Sequence, residues 1–313
     1  MFCHDLRTPE GVVVVGYDPA KEHVASHPGN YLWDVYELLR LLRPRFAENA
    51  ATGLPPLAID IGANVGYFTM SVAARGRYRV VAFEPAPANF RRLALGVHAN
   101  GFGDRVSLFR LGLGHQDDVA QLFLDPESRT HLSNGVMVNG WDDKILQSNF
   151  GQPREKISHV SPSSSLTDVN LTTLDRFHQR FRNVLKGADI LKMDAEGFEP
   201  LIIAGAIKFL WDERPALILM EFHFLLWTMR AGFPGYRTVE EVLHVLMIGL
   251  GYIPYSTRKV LKLGVVEEAF FDVDILLIKS RAALTPDSSE NIDNEDVLFV
   301  NHNAPRLFLN WTP

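Results

Sequence analysis

The sequence predicts an α/β protein built on a mostly parallel sheet with helices on both faces, and three observations lead there. From Leu57 to Lys279 short apolar runs alternate with longer amphipathic ones, the pattern of parallel strands joined by helical crossovers. Several of those runs are apolar at every position, as strands covered on both faces require. A glycine-rich turn in AIDIGANVGYF, Ala58–Phe68, leads straight from one run into a helical pattern.

In chain order, the first element is a helix at Asn30–Arg43. Tyr31, Val35, Leu38, Leu39 and Leu42 fall at helical spacing there, after Pro28-Gly29 and before Pro44. It belongs to an N-terminal extension, 1–50, that packs on the sheet edge or over its mouth. The main domain, 51–281, carries strands at Leu57–Ile61, Arg79–Glu84, Val106–Gly112, Ile190–Met193, Ala216–Phe222 and Val273–Lys279, bounded by Gly, Pro, Asp and Glu. Helical periodicity covers Val65–Ala74, Ala88–Ala99, Leu174–Asn183, Pro200–Leu210 and Val239–Ile248. Periodicity fails over 123–172, which holds Pro126, Pro153, Pro162 and the run Ser163-Ser164-Ser165. A loop-rich insertion of this length is usually functional or disordered; together with Asn30–Arg43 it is expected to form the acceptor side of a cleft. The remaining 282–313 reads as an acidic linker and a tail whose Val297–Val300 and Leu307–Trp311 are apolar enough to dock on something.

Composition narrows the function classes. The formal charge of the 313 residues is −6, and five of the acids lie in Ala282–Asp296, so the remainder is about −1. No cationic field advertises nucleic acid. No apolar stretch approaches the ~20 residues that span a bilayer, and Met1–Pro9 lacks the form of a secretory leader, which points to a cytoplasmic protein without a membrane partner. Cys3 is the single cysteine, so intrachain disulfides and a cysteine zinc site are excluded. There is no H-E-x-x-H, P-loop lysine motif or G-x-S-x-G elbow.

The chemistry gathers at strand ends. Asp60, Gly62, Asn64 and Gly66 join an apolar strand to a helix, where glycines permit close backbone approach and the helix amides favour a polar or anionic group. A dinucleotide fingerprint would place glycine where Asn64 and Tyr67 stand. Glu84 closes the next strand about 20 residues on, where a carboxylate accepts both hydroxyl donors of a ribose. Turn and carboxylate together fit S-adenosylmethionine.

The segments D-I-G-A-N-V-G-Y-F, A-F-E-P, L-T-T-L-D, L-K-M-D-A-E-G-F-E and M-E-F-H, in that order, resemble the FkbM family of S-adenosylmethionine-dependent methyltransferases over Leu57 to Lys279. The most specific piece is Lys192-Met193-Asp194-Ala195-Glu196-Gly197. The resemblance implies a Rossmann-like class I sheet of seven strands whose last two, here Gly251–Ser256 and Val273–Lys279, form an antiparallel hairpin. It implies Asp60, Gly62, Asn64 and Gly66 at the methionine end of the cofactor, Glu84 on the ribose, and Gly114 and His115 passing the adenine, with Asp117 the alternative acidic residue there. It also implies methyl transfer to a hydroxyl of a small molecule or carbohydrate.

An alcohol acceptor must lose its proton. Asp194 and Glu196, at the end of a strand where open α/β sheets bind ligands, are the first candidate bases and His223 the second. The competing structural reading has Asp194 on the cofactor's amino group, Glu196 capping the next helix and Lys192 paired with a carboxylate. No metal is expected, since no third ligand lies nearby in sequence. The rival functions are a non-catalytic binding protein that keeps the cofactor fold, and a methyltransferase acting on nitrogen or on protein.

Overall fold

The computed structural model describes residues 2–8, 11–17, 55–74, 78–124, 136–137, 165–222, 238–256 and 295–301. The hydrophobic strand pattern is realised as a seven-stranded sheet. It contains β3 (Leu57–Ile61), β4 (Arg79–Phe83), β5 (Val106–Phe109), β10 (Ala188–Met193), β11 (Leu217–Phe222), β12 (Tyr252–Ser256) and β13 (Glu295–Asn301). Their order is β12-β13-β11-β10-β3-β4-β5. All neighbouring pairs are parallel except those made by β13, which runs antiparallel to β11 and β12. The chain steps outward from β3 to β4 and β5, then returns to β10 on the other side of β3. The topological switch point therefore lies between β3 and β10, which is where sheets of this kind bind ligands.

Strand alternation divides the core. Leu57, Ile59 and Ile61 face one apolar cluster, shared with helices α3 (Leu174–Arg180), α5 (Glu199–Ala204), α6 (Ile207–Glu213) and α7 (Val239–Leu243). Ala58 faces the other cluster, shared with α1 (Tyr67–Ala73) and α2 (Pro87–Ala99). A single period-2 pattern thus commits both faces of the sheet to helices. Local signals fix helix starts. Thr173 Oγ1 accepts from the Arg176 amide, and Thr238 with Glu241 forms a reciprocal capping box. Beyond α7 the chain continues as a π-helical stretch, His244–Gly249.

Three sequence expectations are corrected. The antiparallel place in the sheet is filled by Glu295–Asn301, whereas Val273–Lys279 lies outside the described residues. Val297–Val300 accordingly docks on the sheet itself, as part of this strand. All four residues are at most 3% exposed because both faces of β13 are covered. The helix expected over Pro200–Leu210 breaks at Gly205-Ala206, between α5 and α6. That over Leu174–Asn183 divides into α3 and the single turn α4 (Arg182–Leu185). The helix Asn30–Arg43 lies outside the described residues.

The stretch 123–172 is anchored by strands at both ends. β7 (Asp118–Leu124) and β9 (Ser165–Thr172) pair antiparallel, and with β6 (Gly112–Leu113) and β8 (Val136–Met137) form a second sheet in the order β6-β9-β7-β8. Ala120, Leu122, Val169 and Leu171 point from it into the main core. Near the chain start, β1 (Phe2–Thr8) and β2 (Gly11–Tyr17) form an antiparallel hairpin, with β2 running beside α1 and α2. No helix among the described residues is long and apolar enough to cross a membrane.

The break at Gly205 has a steric cause. A Cβ there would stand 2.0 Å from the Gly114 carbonyl oxygen and 3.1 Å from the His115 Cα, contacts between backbones that cannot yield by rotamer change. At Gly103 a Cβ would meet nothing within 4 Å. Gly205→Ala is expected to lower the unfolding free energy by about 1–3 kcal/mol and Gly103→Ala to change it by less than about 0.5 kcal/mol, measured by urea denaturation. Equal effects would mean the Gly114 contact is not limiting.

Candidate active site

The turn after β3 is shaped by a close approach. β3 and β10 leave the sheet side by side, with Ile61 opposite Met193, and the Asp194 amide donates to the Ile61 carbonyl at 3.2 Å. A Cβ on Gly62 would lie 1.9 Å from the Asp194 carbonyl oxygen, and Gly62 also holds φ +73°. Asn64, at φ 53°, takes the left-handed conformation that asparagine tolerates better than most residues. Gly66, at φ 100°, precedes α1 on the side away from the cleft, where a Cβ would strike the Leu93 side chain at 2.6 Å.

The amides of this turn are used internally. Those of Gly62 and Ala63 both donate to the Phe83 carbonyl, at 3.1 and 3.0 Å, and that of Gly66 donates to Ala63. The Asn64 amide donates to Glu84 Oε2 at 2.7 Å, and the Ala86 amide to Glu84 Oε1 at 2.9 Å. These amides are thus engaged within the protein, and the carboxylates facing the cleft come from Glu84 after β4 and from Asp194 and Glu196 after β10. Glu84 is 4% exposed, and burial pushes its carboxyl up to about 7. The Ala86 and Asn64 amides and the charge of Lys192 oppose that rise, while Asp60 adds to it.

On the other side of the switch point, Asp194 is followed by Glu196 at φ 51° and Gly197 at φ 86°, two left-handed residues that turn the chain sharply. The Ala195 amide donates to Glu199 Oε1 at 2.6 Å, which helps secure this turn. Glu196, 8% exposed, is left lining the cleft. Between the two turns, Lys192 Nζ stands 3.1 Å from Asp60 Oδ1, 3.6 Å from Asp194 Oδ2 and 2.9 Å from the Gly62 carbonyl it donates to.

The cleft holds about 590 Å³ of empty space, part of it open to solvent. Of the sequence-predicted residues it brings together Gly62, Asn64, Glu84, Asp194 and Glu196. Asp60 lies beneath it, fully buried, accepting from Thr69 Oγ1 at 2.6 Å and pairing with Lys192. Gly114 and His115 sit against Gly205 instead of lining the cleft, and burial lowers the His115 pKa, with Asp118 opposing. Asp117 is also outside it, since it pairs with the exposed Arg176 and accepts from Thr172 Oγ1. His223 lies outside the described residues.

On this side the cleft is lined by Leu111, Gly112 and Leu113, because the chain turns at Leu111 to enter β6. Phe83, Leu122, Phe198 and Ile202 complete an apolar wall. Sequence reasoning missed Leu122 and Phe198, whose place depends on the second sheet and the turn after Glu196. Among the described residues no three His, Cys, Asp or Glu side chains stand close enough to share a metal ion.

The raised pKa of Glu84 fixes a sign. Its folded-state proton is held more tightly than in the unfolded chain, so its stabilising contribution is full below about pH 4.5 and is lost as pH rises through about 7. The parent's unfolding free energy should fall across that interval relative to Glu84→Gln by up to ~3 kcal/mol, read from denaturation curves at each pH. Parallel pH profiles for the two proteins would contradict the burial argument.

The sequence is similar to known methyltransferases. The chain is 26% identical over 155 residues to "Methyltransferase 1" of Beauveria bassiana, covering 49% of this chain and 59% of that protein. It is 28% identical over 166 residues to the AMB antimetabolite synthetase AmbE of Pseudomonas aeruginosa, covering 49% of this chain and 8% of that protein. The chain thus spans less than two thirds of the length of these curated relatives. Among solved structures, an O-methyltransferase from Bacillus cereus in complex with SAH aligns over 91% of both chains at 12% identity, with a TM-score of 0.39. The family model described as the methyltransferase FkbM domain matches residues 60–253, more than half of the sequence, and the chain belongs to that family of S-adenosylmethionine-dependent methyltransferases.

Proposed function

We propose that the protein transfers a methyl group from S-adenosylmethionine to a hydroxyl oxygen of a small molecule or sugar, in the cleft at the ends of β3, β4 and β10. The observation that carries this reading is the combination of Glu84, Asp194 and Glu196 with an apolar wall, and no Lys or Arg among the described lining residues. The cofactor fits such a lining. Its ammonium and sulfonium are cationic, its ribose hydroxyls are donors, and its adenine is flat and largely apolar on its faces.

When bound, S-adenosylmethionine supplies an electrophilic methyl and departs as a neutral thioether. The chain's own groups do the rest. Glu84, fixed by two backbone amides, has oxygen lone pairs left to accept the ribose hydroxyls. Asp194 accepts from the ammonium. Leu111, Leu113, Leu122 and Phe198 exclude water from the ring and from the reacting centre. As the acceptor oxygen forms its bond to the methyl carbon and the carbon–sulfur bond breaks, Glu196 takes the hydroxyl proton. Buried at the rim of the cleft, it is the better placed of the two acids, with His223 the further candidate that the family motif names.

Calorimetry with S-adenosylhomocysteine should show binding to the parent and its loss by about tenfold or more in Glu84→Ala. At saturating cofactor, over a library of hydroxylated metabolites, Glu196→Gln should lower turnover by about 10²-fold or more. Asp194→Asn is expected to act mainly on cofactor affinity. Turnover that survives Glu196→Gln and falls in His223→Ala would move the base to His223, and loss on adding a chelator would introduce a metal.

A further inference from the structure

Lys192 is 3% exposed in the middle of β10, opposite Asp60 on β3 and Leu219 on β11. An ammonium removed from water costs several kcal/mol unless its protons are all engaged. Here they are: Asp60 Oδ1 lies at 3.1 Å, the Gly62 carbonyl at 2.9 Å, the Ile61 carbonyl at 3.4 Å and Asp194 Oδ2 at 3.6 Å. Burial pushes Lys192 towards its neutral form, and Asp60 and Asp194 outweigh it, so the ammonium stays charged. For holding two strands together, an apolar pair of similar volume serves as well as a buried ion pair or better. The arrangement is better explained by what the ammonium touches. Lys192 does not line the cleft, yet it grips two groups that do, Gly62 and Asp194.

We propose that Lys192 is a positioning residue for the cofactor, orienting the turn at Gly62 and the Asp194 carboxylate as one unit from beneath the cleft. The Gly62 carbonyl is drawn down onto the ammonium, and the Gly62 and Ala63 amides on the far side meet Phe83. Asp194, about 29% exposed at its side chain, faces the ammonium through Oδ2 from above. The Lys192 charge also reaches Glu84, which it favours in the ionised form, against Asp60, which disfavours it. One buried cation thereby sets the geometry on the β10 side and the charge on the β4 side. This inference rests on the methyltransferase reading above.

The test is S-adenosylhomocysteine binding by calorimetry across neutral pH, with thermal unfolding alongside, on the parent, Lys192→Met and the double variant Asp60→Asn/Lys192→Met. The double variant removes both buried charges at nearly constant volume, so it keeps the fold where the single variant leaves a stranded carboxylate. Both variants are expected to bind about 10- to 100-fold more weakly. In Lys192→Met the pH below which binding is lost should move upward, and in the double variant it should move less, because the opposing Asp60 charge is gone as well. A double variant as heat-stable as the parent but weaker in binding is the result that a merely structural lysine would not give. Parental affinity and pH midpoint in the folded double variant would overturn the positioning role. Failure of the parent itself to bind would overturn the methyltransferase reading instead.

Discussion

There is no space for a side chain between the ends of β3 and β10. The Asp194 carbonyl occupies the place where a Cβ on Gly62 would be, and the rest of the site follows from that approach. Because the two strands are neighbours across the switch point, their ends diverge into two turns that face each other, and both turns need left-handed residues to clear the sheet. Gly62, Asn64 and Gly66 supply them on one side, Glu196 and Gly197 on the other. A left-handed glutamate costs about 1 kcal/mol or more, and this one stands in the cleft wall with its carboxylate at the rim. Local conformational cost and chemistry coincide at the same residue.

Three carboxylates line one cleft, and burial raises the cost of charging Glu84. Different devices offset this at the two sides. Glu84 is stabilised as an anion by two amides at 2.7 and 2.9 Å, yet desolvation still dominates and its proton is lost only near neutral pH. On the β10 side the compensation comes from Lys192 beneath the cleft, which pairs with Asp60 and reaches Asp194. A cation entering the cleft would favour the ionised state of Glu84, so its binding and the deprotonation of Glu84 would be linked, each strengthening the other.

How much of this was legible in the sequence depends on the range of the interactions. Gly62, Glu84 and the Asp194–Glu196 pair could be read because a strand followed by glycine or by a terminal acid carries its meaning within a few residues. Asp60 was read as a cofactor contact, but its register opposite Lys192 sends it under the cleft, and register between β3 and β10 is not local information. Asp117 and His115 lie outside the cleft for a related reason, since two residues after β5 the chain turns into a second sheet. The helix break at Gly205 answers a carbonyl 91 positions earlier in the chain, a contact no periodicity can show. Glu295–Asn301 escaped because the acidic run before it reads as a linker, although four consecutive buried residues make Val297–Val300 an interior strand.

The cleft has two walls of different origin. The polar wall comes from β3, β4 and β10, elements of the main sheet whose register fixes Glu84 and Asp194 within backbone hydrogen-bond distance of their neighbours. The apolar wall includes Leu113 and Leu122, on strands β6 and β7 of the second sheet. β7 and β9 frame the long segment 125–164, and their inward residues Ala120, Leu122, Val169 and Leu171 lock the frame to the core. The inward contacts of that frame and the polar wall are therefore built on different sheets, and the polar wall keeps its shape through the close approach of Gly62 to Asp194.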